Sequence, residues 1–240
     1  MKDKHKNPYW NFEKIMEIER KYGVRSTFFF LEESKKFDFN PKSIPLCFGY
    51  YSFDDVKDII QKLSSEGWEI GLHGSYDSYR DINLLRKEKR RLEKIAGIRV
   101  KGVRQHYLNL NIPNTWKIQK KVGFKYDSSF GFNEKTGWRD EKLLPFKPFN
   151  DDFLVIPLTI MDVALMREAK FNINIAKEII KNHLRYAKKR GAVVTVLWHQ
   201  RVFNDKEFPG WADLYKFIIR EGKNMDAWFV KCEDIYEVFK

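Results

Sequence analysis

Three of the five histidines, His73, His106 and His199, follow short apolar runs, and each has polar neighbours of a chemically useful kind. His73 opens His73-Gly-Ser-Tyr-Asp77, where an imidazole and a carboxylate four residues apart can meet one metal ion if the segment turns helically. Arg104 leads Arg104-Gln-His-Tyr107. A guanidinium cannot give up a proton at neutral pH, so its use would be to orient a carboxylate or stabilise an oxyanion. Asp127 precedes Ser128-Ser129 and could hold or tune a catalytic imidazole; equally, it could be a turn residue. His199 is the natural general acid. His5, in the polar N-terminal stretch, and His183, inside a helical pattern, read as structural.

These residues need elements to bring them together, and periodicity supplies an alternation of helices and strands. Phe12, Ile15, Met16 and Tyr22 mark an amphipathic helix stopped by Gly23, followed by a buried strand over 26–31. Ser52 caps a second helix carrying Val56, Ile59, Ile60 and Leu63. Strands are expected at 68–72, near Val103, at 124–126, 153–161, 192–198 and 228–230. Helices are expected at 80–96, 114–122, 173–190, 211–220 and up to Lys240. Strands separated by helices of ten or more residues pair in parallel, so the reading is one α/β domain over residues 1–240, barrel-like. In such barrels chemistry gathers where strands end. That rule singles out His73, Arg104, His106, Asp127 and His199.

Composition narrows the classes. With 43% hydrophobic and 32% charged residues the chain has the balance of a globular protein, which excludes disorder and collagen. Its longest apolar run, 192–198, is far short of the roughly 20 residues a membrane helix needs. The basic N-terminus has no apolar stretch behind it, so no signal peptide is expected. Cys47 and Cys232 have no metal or redox spacing and fit a reducing, cytoplasmic compartment. The net charge of +12 is concentrated in two helical windows, 80–101 and 167–190, each +6. Solvated helix faces are the ordinary explanation, with an anionic polymer or surface as the alternative. Nucleic-acid binding ranks last, because no helix-turn-helix, zinc-finger or RNA-binding signature accompanies the charge.

In their order along the chain, these stretches resemble the motifs of the polysaccharide deacetylases (carbohydrate esterase family 4, the NodB homology domain), and the resemblance runs nearly end to end. It implies a distorted (β/α) barrel and a divalent metal, usually zinc, that activates water to remove an N-acetyl group from a carbohydrate. His73 to Asp77 matches the His-Ser/Thr-x-x-His metal motif, Arg104 to Tyr107 the Arg-x-Pro-Tyr motif, Asp127 the later Asp motif, and Leu197-Trp198-His199 the Leu-x-His motif. By that match His73 and Asp77 hold metal and His199 protonates the leaving amine. Asp127 sets the pKa of His199, and Arg104 positions the base. Tyr107, His106 and Trp138 are the candidates for substrate contact.

The departures are Asp77 for the second histidine and His106 for the proline. The family's first motif, an Asp-Asp pair, precedes the strand matched by 26–31. Asp54 and Asp55 follow that strand and open a helix, where acids favour the dipole, so Ser52-Phe-Asp-Asp55 is a decoy. The residues before Pro8 are too few for the first strand: either the chain is a fragment, or it has lost that strand, or the site is built differently, and the barrel is expected to lack the strand. The unpaired edge would invite a partner strand or a homodimer. The alternative function is a carbohydrate-binding protein without turnover, with Trp138, Trp198 and Trp211 as stacking surfaces. Loops 32–51 and 131–152 are the expected determinants of substrate.

Overall fold

The computed structural model describes residues 7–33 and 52–240. His5, Cys47 and all but the first two residues of loop 32–51 lie outside the described residues.

Strands β1 (Thr27–Leu31), β2 (Glu69–Gly74), β3 (Gly102–Gln105), β4 (Tyr126–Asp127) and β5 (Leu154–Val155) form one sheet in the order β1-β2-β3-β4-β5. The four strand pairings are parallel; helices α2 (Lys57–Ser65), α3 (Ile82–Ala96) and α4 (Asn114–Val122) make the crossovers from β1 to β4, and β4 reaches β5 without one. The register sets Leu31 beside His73 and His73 beside Arg104, while Val103 stands beside Asp127. A second, two-stranded parallel sheet pairs β6 (Ile160–Met161) with β7 (Val196–Leu197). The remaining helices are α1 (Phe12–Tyr22), α5 (Asp162–Glu168), α6 (Ile173–Arg190), α7 (Trp211–Asn224) and α8 (Cys232–Phe239).

The chain divides into two compact units. One comprises residues up to Arg25 with Gly131–Pro145 and Pro157–Val230; the other comprises Ser26–Phe130, Phe146–Ile156 and Lys231–Lys240. In the first, Ile160, Leu165, Ile180, Trp211, Leu214 and Ile218 form a buried apolar cluster between the β6–β7 pair and helices α5, α6 and α7. In the second, Ile60, Leu63, Ile70, Leu72, Leu85, Leu92, Val103 and Tyr126 are buried in and around the sheet. Close packing of that sheet depends on small residues. A Cβ on Gly102 would lie 2.1 Å from the Tyr126 ring, far inside contact distance.

Several sequence expectations are corrected. The apolar stretch 153–161 is two short strands, β5 and β6, broken at 156–159, and the run 192–198 pairs only over Val196–Leu197. Residues 228–230 form no strand; Trp228 there is 66% exposed. The Ser52 cap holds, its Oγ accepting from Asp54 N at 3.2 Å, but it opens a short 3-10 turn ahead of α2. Asp54 itself is on the surface, 2.5 Å from an Arg91 guanidinium nitrogen. Among the described residues no strand precedes β1, and no helix is long and apolar enough to cross a membrane.

Candidate functional site

The best-defined constellation is at the ends of β6 and β7. Asp162 follows β6 directly and is fully buried. Its Oδ1 lies 2.7 Å from His199 Nδ1, and its Oδ2 accepts the His199 backbone N–H at 2.6 Å. Val163 N donates to Oδ1 as well, at 2.6 Å. A buried carboxylate gripping one residue by ring and backbone fixes the imidazole's rotation and makes Nδ1 the donor. The His199 side chain is nonetheless 39% exposed, so Nε2 can meet a ligand. An oriented imidazole with one open nitrogen is the geometry of a general acid or base.

Asp127, the carboxylate expected to tune His199, has its own partners within the sheet unit. It is fully buried and accepts from Ser129 N (2.9 Å), Ser129 Oγ (2.6 Å), Gln119 Nε2 (2.8 Å) and Trp116 Nε1 (3.4 Å). Burial raises its pKa above the usual aspartate value despite those bonds. The carboxylate against His199 is Asp162. The strand-end rule applied to the run ending at Met161 would have found it.

In the sheet unit, His73 and His106 come together. Their rings are edge to face with centroids 5.1 Å apart, as adjacent strand ends allow. His73 Nδ1 lies 2.8 Å from the Arg104 carbonyl, which makes Nδ1 the donor, so in the neutral ring it is Nε2 that carries the lone pair a metal takes. His106 Nδ1 is buried without a hydrogen bond, with Glu33 Oε2 3.5 Å away. Glu33, just beyond β1, is buried and accepts from Tyr76 N at 2.8 Å. It is another strand-end acid that motif matching passed over. Tyr107 is 48% exposed at a positive φ of 56°, packed against the rings of His106 and Tyr76. Positive φ in a bulky residue is a strained conformation of the kind that collects at ligand sites.

Arg104 is buried, with Nε on Ser128 O (2.9 Å), Nη2 on Ser128 Oγ (2.8 Å) and its guanidinium 4.3 Å over the Phe29 ring. Burial lowers its pKa from the ordinary arginine value. Its forked donors hold β4's end in place. Asp77 takes a bond from Arg80 Nη2 at 2.7 Å within its own turn.

The residues present fit a metal only in part. His73 has the right tautomer, yet among the described residues no three His, Cys, Asp or Glu side chains converge as a metal ion would require.

Of the aromatic candidates, Trp211 is core, at 3% exposure, and this corrects its reading as a stacking surface. Trp198 packs against Tyr215 with its Nε1 buried and unbonded. Trp138 donates to Val193 O at 2.8 Å and packs on His183 and Tyr186. His183 Nε2 lies 2.7 Å from Thr136 Oγ1, a structural bond that ties down the 131–145 segment.

No protein-family model matches the sequence, and no curated protein sequence matches it. Solved structures do. A provisionally assigned polysaccharide deacetylase from Mycobacterium smegmatis is 19% identical with a TM-score of 0.70, over 96% of this chain and 77% of that one. Another, from Pseudomonas aeruginosa PAO1, is 20% identical with a TM-score of 0.67, over 98% and 73%. A carbohydrate esterase family 4 pseudoenzyme from Bacillus anthracis is 12% identical with a TM-score of 0.54, over 95% and 61%, and a mutant of it has restored enzymatic activity. The chain has the NodB-type α/β fold of the polysaccharide deacetylases.

Proposed function

We propose that the chain is a hydrolase of carbohydrate N-acetyl groups in which His199 protonates the departing amine and Asp162 holds His199 for that task. The observation that carries this reading is the double grip of the buried Asp162 carboxylate on His199. An amide nitrogen leaves only when protonated, and an imidazole oriented through Nδ1 delivers the proton through Nε2. A divalent ion, zinc in the resembling family, would be held by His73 and Asp77 and would supply a water activated at neutral pH. Tyr107 and His106, at the adjacent strand end, are the residues that would contact the sugar.

A second reading, carbohydrate binding without turnover, is favoured by the lack of a third converging ligand among the described residues and by the pseudoenzyme of the same fold. Acetate release from N-acetylated oligosaccharides, measured with and without added zinc beside His199→Ala, separates the two. Release that the substitution abolishes supports the hydrolase. Saturable glycan binding with no release from the parent overturns it in favour of the second reading.

A further inference from the structure

We propose that Glu33 is a positioning residue that fixes His106 as a hydrogen-bond acceptor for a sugar hydroxyl. This rests on the carbohydrate reading above and names the group of the substrate that His106 meets. Both residues, and those that touch them below, belong to the sheet unit.

Glu33 stands just beyond the end of β1 and is 5% exposed. Its Oε2 accepts the Tyr76 backbone N–H at 2.8 Å, on the turn after β2. The same oxygen lies 3.5 Å from His106 Nδ1, on the turn after β3. A buried carboxylate is costly unless donors compensate it. Among the described residues the Tyr76 N–H is the one hydrogen bond that Glu33 receives.

His106 supplies the other half of the argument, because its Nδ1 is buried without a hydrogen bond. At 3.5 Å the two atoms are too far apart for a strong bond, yet the sign of the interaction is settled. A lone pair on Nδ1 would face the negative charge of the carboxylate, whereas an N–H there is attracted to it. The neutral ring therefore carries its proton on Nδ1 and its lone pair on Nε2. Asp162 orients His199 in the same sense, through a direct bond.

Burial decides which nitrogen a ligand can reach. The His106 side chain is 22% exposed while its Nδ1 is buried, so the edge away from Nδ1, with Nε2, is the one at the surface. Tyr107, 48% exposed, packs against that ring with centroids 4.5 Å apart. An aromatic face beside a single lone pair suits the apolar face and the hydroxyl rim of a sugar ring. An anionic group is disfavoured at the same place, because Nε2 has no proton to give and the Glu33 charge lies behind the ring.

The test uses the full chain, treated with a chelator and isotope-labelled at the histidine nitrogens, at about pH 8, where an ordinary imidazole is neutral. Proton–nitrogen correlation across the ring reads which nitrogen carries the proton, and the signal lost in His106→Gln assigns it. The expected result is His106 protonated on Nδ1 in the parent, with the proton moved largely to Nε2 in Glu33→Ala. Glu33→Gln keeps an oxygen for the Tyr76 N–H but removes the charge, and should give a mixture of the two forms. Adding N-acetylchitooligosaccharide should shift His106 Nε2 and leave Nδ1 in place. Affinity for it should fall about three- to tenfold in both variants, the loss of about one hydrogen bond.

A parent ring protonated on Nε2 overturns the proposal, and that reading needs no variant to fold. So does a tautomer that neither Glu33 substitution changes, or the absence of saturable sugar binding. Acetate release is read in parallel. Release by a parent whose His106 is protonated on Nε2 strikes the role of Glu33 and leaves the hydrolase standing. Glu33-dependent tautomer and binding without release strike the hydrolase and leave the role of Glu33 standing.

Discussion

Asp162 and Glu69 are both buried carboxylates, one in each unit, and they are used differently. Asp162 faces a single partly exposed histidine and grips it by ring and backbone. Glu69, at the start of β2, faces a phenol, a hydroxyl and a backbone N–H rather than an imidazole. It accepts from Tyr126 Oη at 2.5 Å, Thr27 Oγ1 at 2.6 Å and Glu233 N at 2.9 Å, so it joins β1, β2, β4 and the start of α8. One carboxylate orients a group that can reach solvent, and the other holds elements together. Burial beside an exposed imidazole marks a site of chemistry, whereas burial among phenol, hydroxyl and backbone donors marks a structural junction.

Asp162→Asn tests the first half of that contrast and has the largest expected effect. An amide can still accept at one atom but cannot stabilise an imidazolium or receive both His199 donors. The rate of acetate release should fall about 100-fold or more through kcat, with KM little changed, as general acid–base catalysis is lost. A variant that melts well below the parent but retains its kcat would show that Asp162 is structural, like Glu69, and the contrast would fail.

Glu69→Gln tests the second half. Burial raises the Glu69 carboxyl from 4.5 to about 7, against the pull of its three donors. Between those values the folded chain holds a proton that the unfolded chain has released. Stability present below about pH 4.5 is therefore lost as pH rises through 7, with a ceiling of about 3 kcal/mol. Glu88, buried against Ser75 and also raised to about 7, contributes with the same sign. Denaturant unfolding across this range should show the parent losing stability with rising pH, and Glu69→Gln should flatten about half of that slope. An unchanged slope would remove Glu69 from its role as a titrating junction. Acetate release should be much less affected than in Asp162→Asn.

The contrast also explains how much of the molecule the sequence disclosed. Helices were legible because apolar spacing and glycine stops are local: α6 begins at Ile173 and ends before Gly191, as its pattern says. Strand ends were legible where a histidine or an arginine advertised them. Asp162 and Glu33 were hidden because an acid after an apolar run looks like any helix start or turn, and only folding reveals which side chain it meets. Asp127 illustrates the converse. Its position in the motif order fitted, but the groups it accepts from, Ser129, Gln119 and Trp116, depend on α4 packing over β4. The 153–161 run read as a single strand because apolar continuity does not show where pairing breaks, and the pairing partner changes from β4 to β7 within it.

Asp77→Ala sets the smallest stability effect against the sharpest question about the His73 end of the molecule. Asp77 bonds Arg80 within one turn, and the arginine side chain is 64% exposed. An exposed pair of this kind contributes at most about 1 kcal/mol, so the variant should melt within a few degrees of the parent. If Asp77 is also a metal ligand, zinc affinity measured by calorimetry should fall at least about tenfold, and His73→Ala should abolish it. A zinc site that survives Asp77→Ala but not His73→Ala would move the second ligand to His106, whose ring meets that of His73, or to Glu33, which lies 3.5 Å from His106. Binding indifferent to both substitutions would leave the His73 end with no role in metal capture. The proposed hydrolysis would then need its activated water from somewhere other than the His73 end.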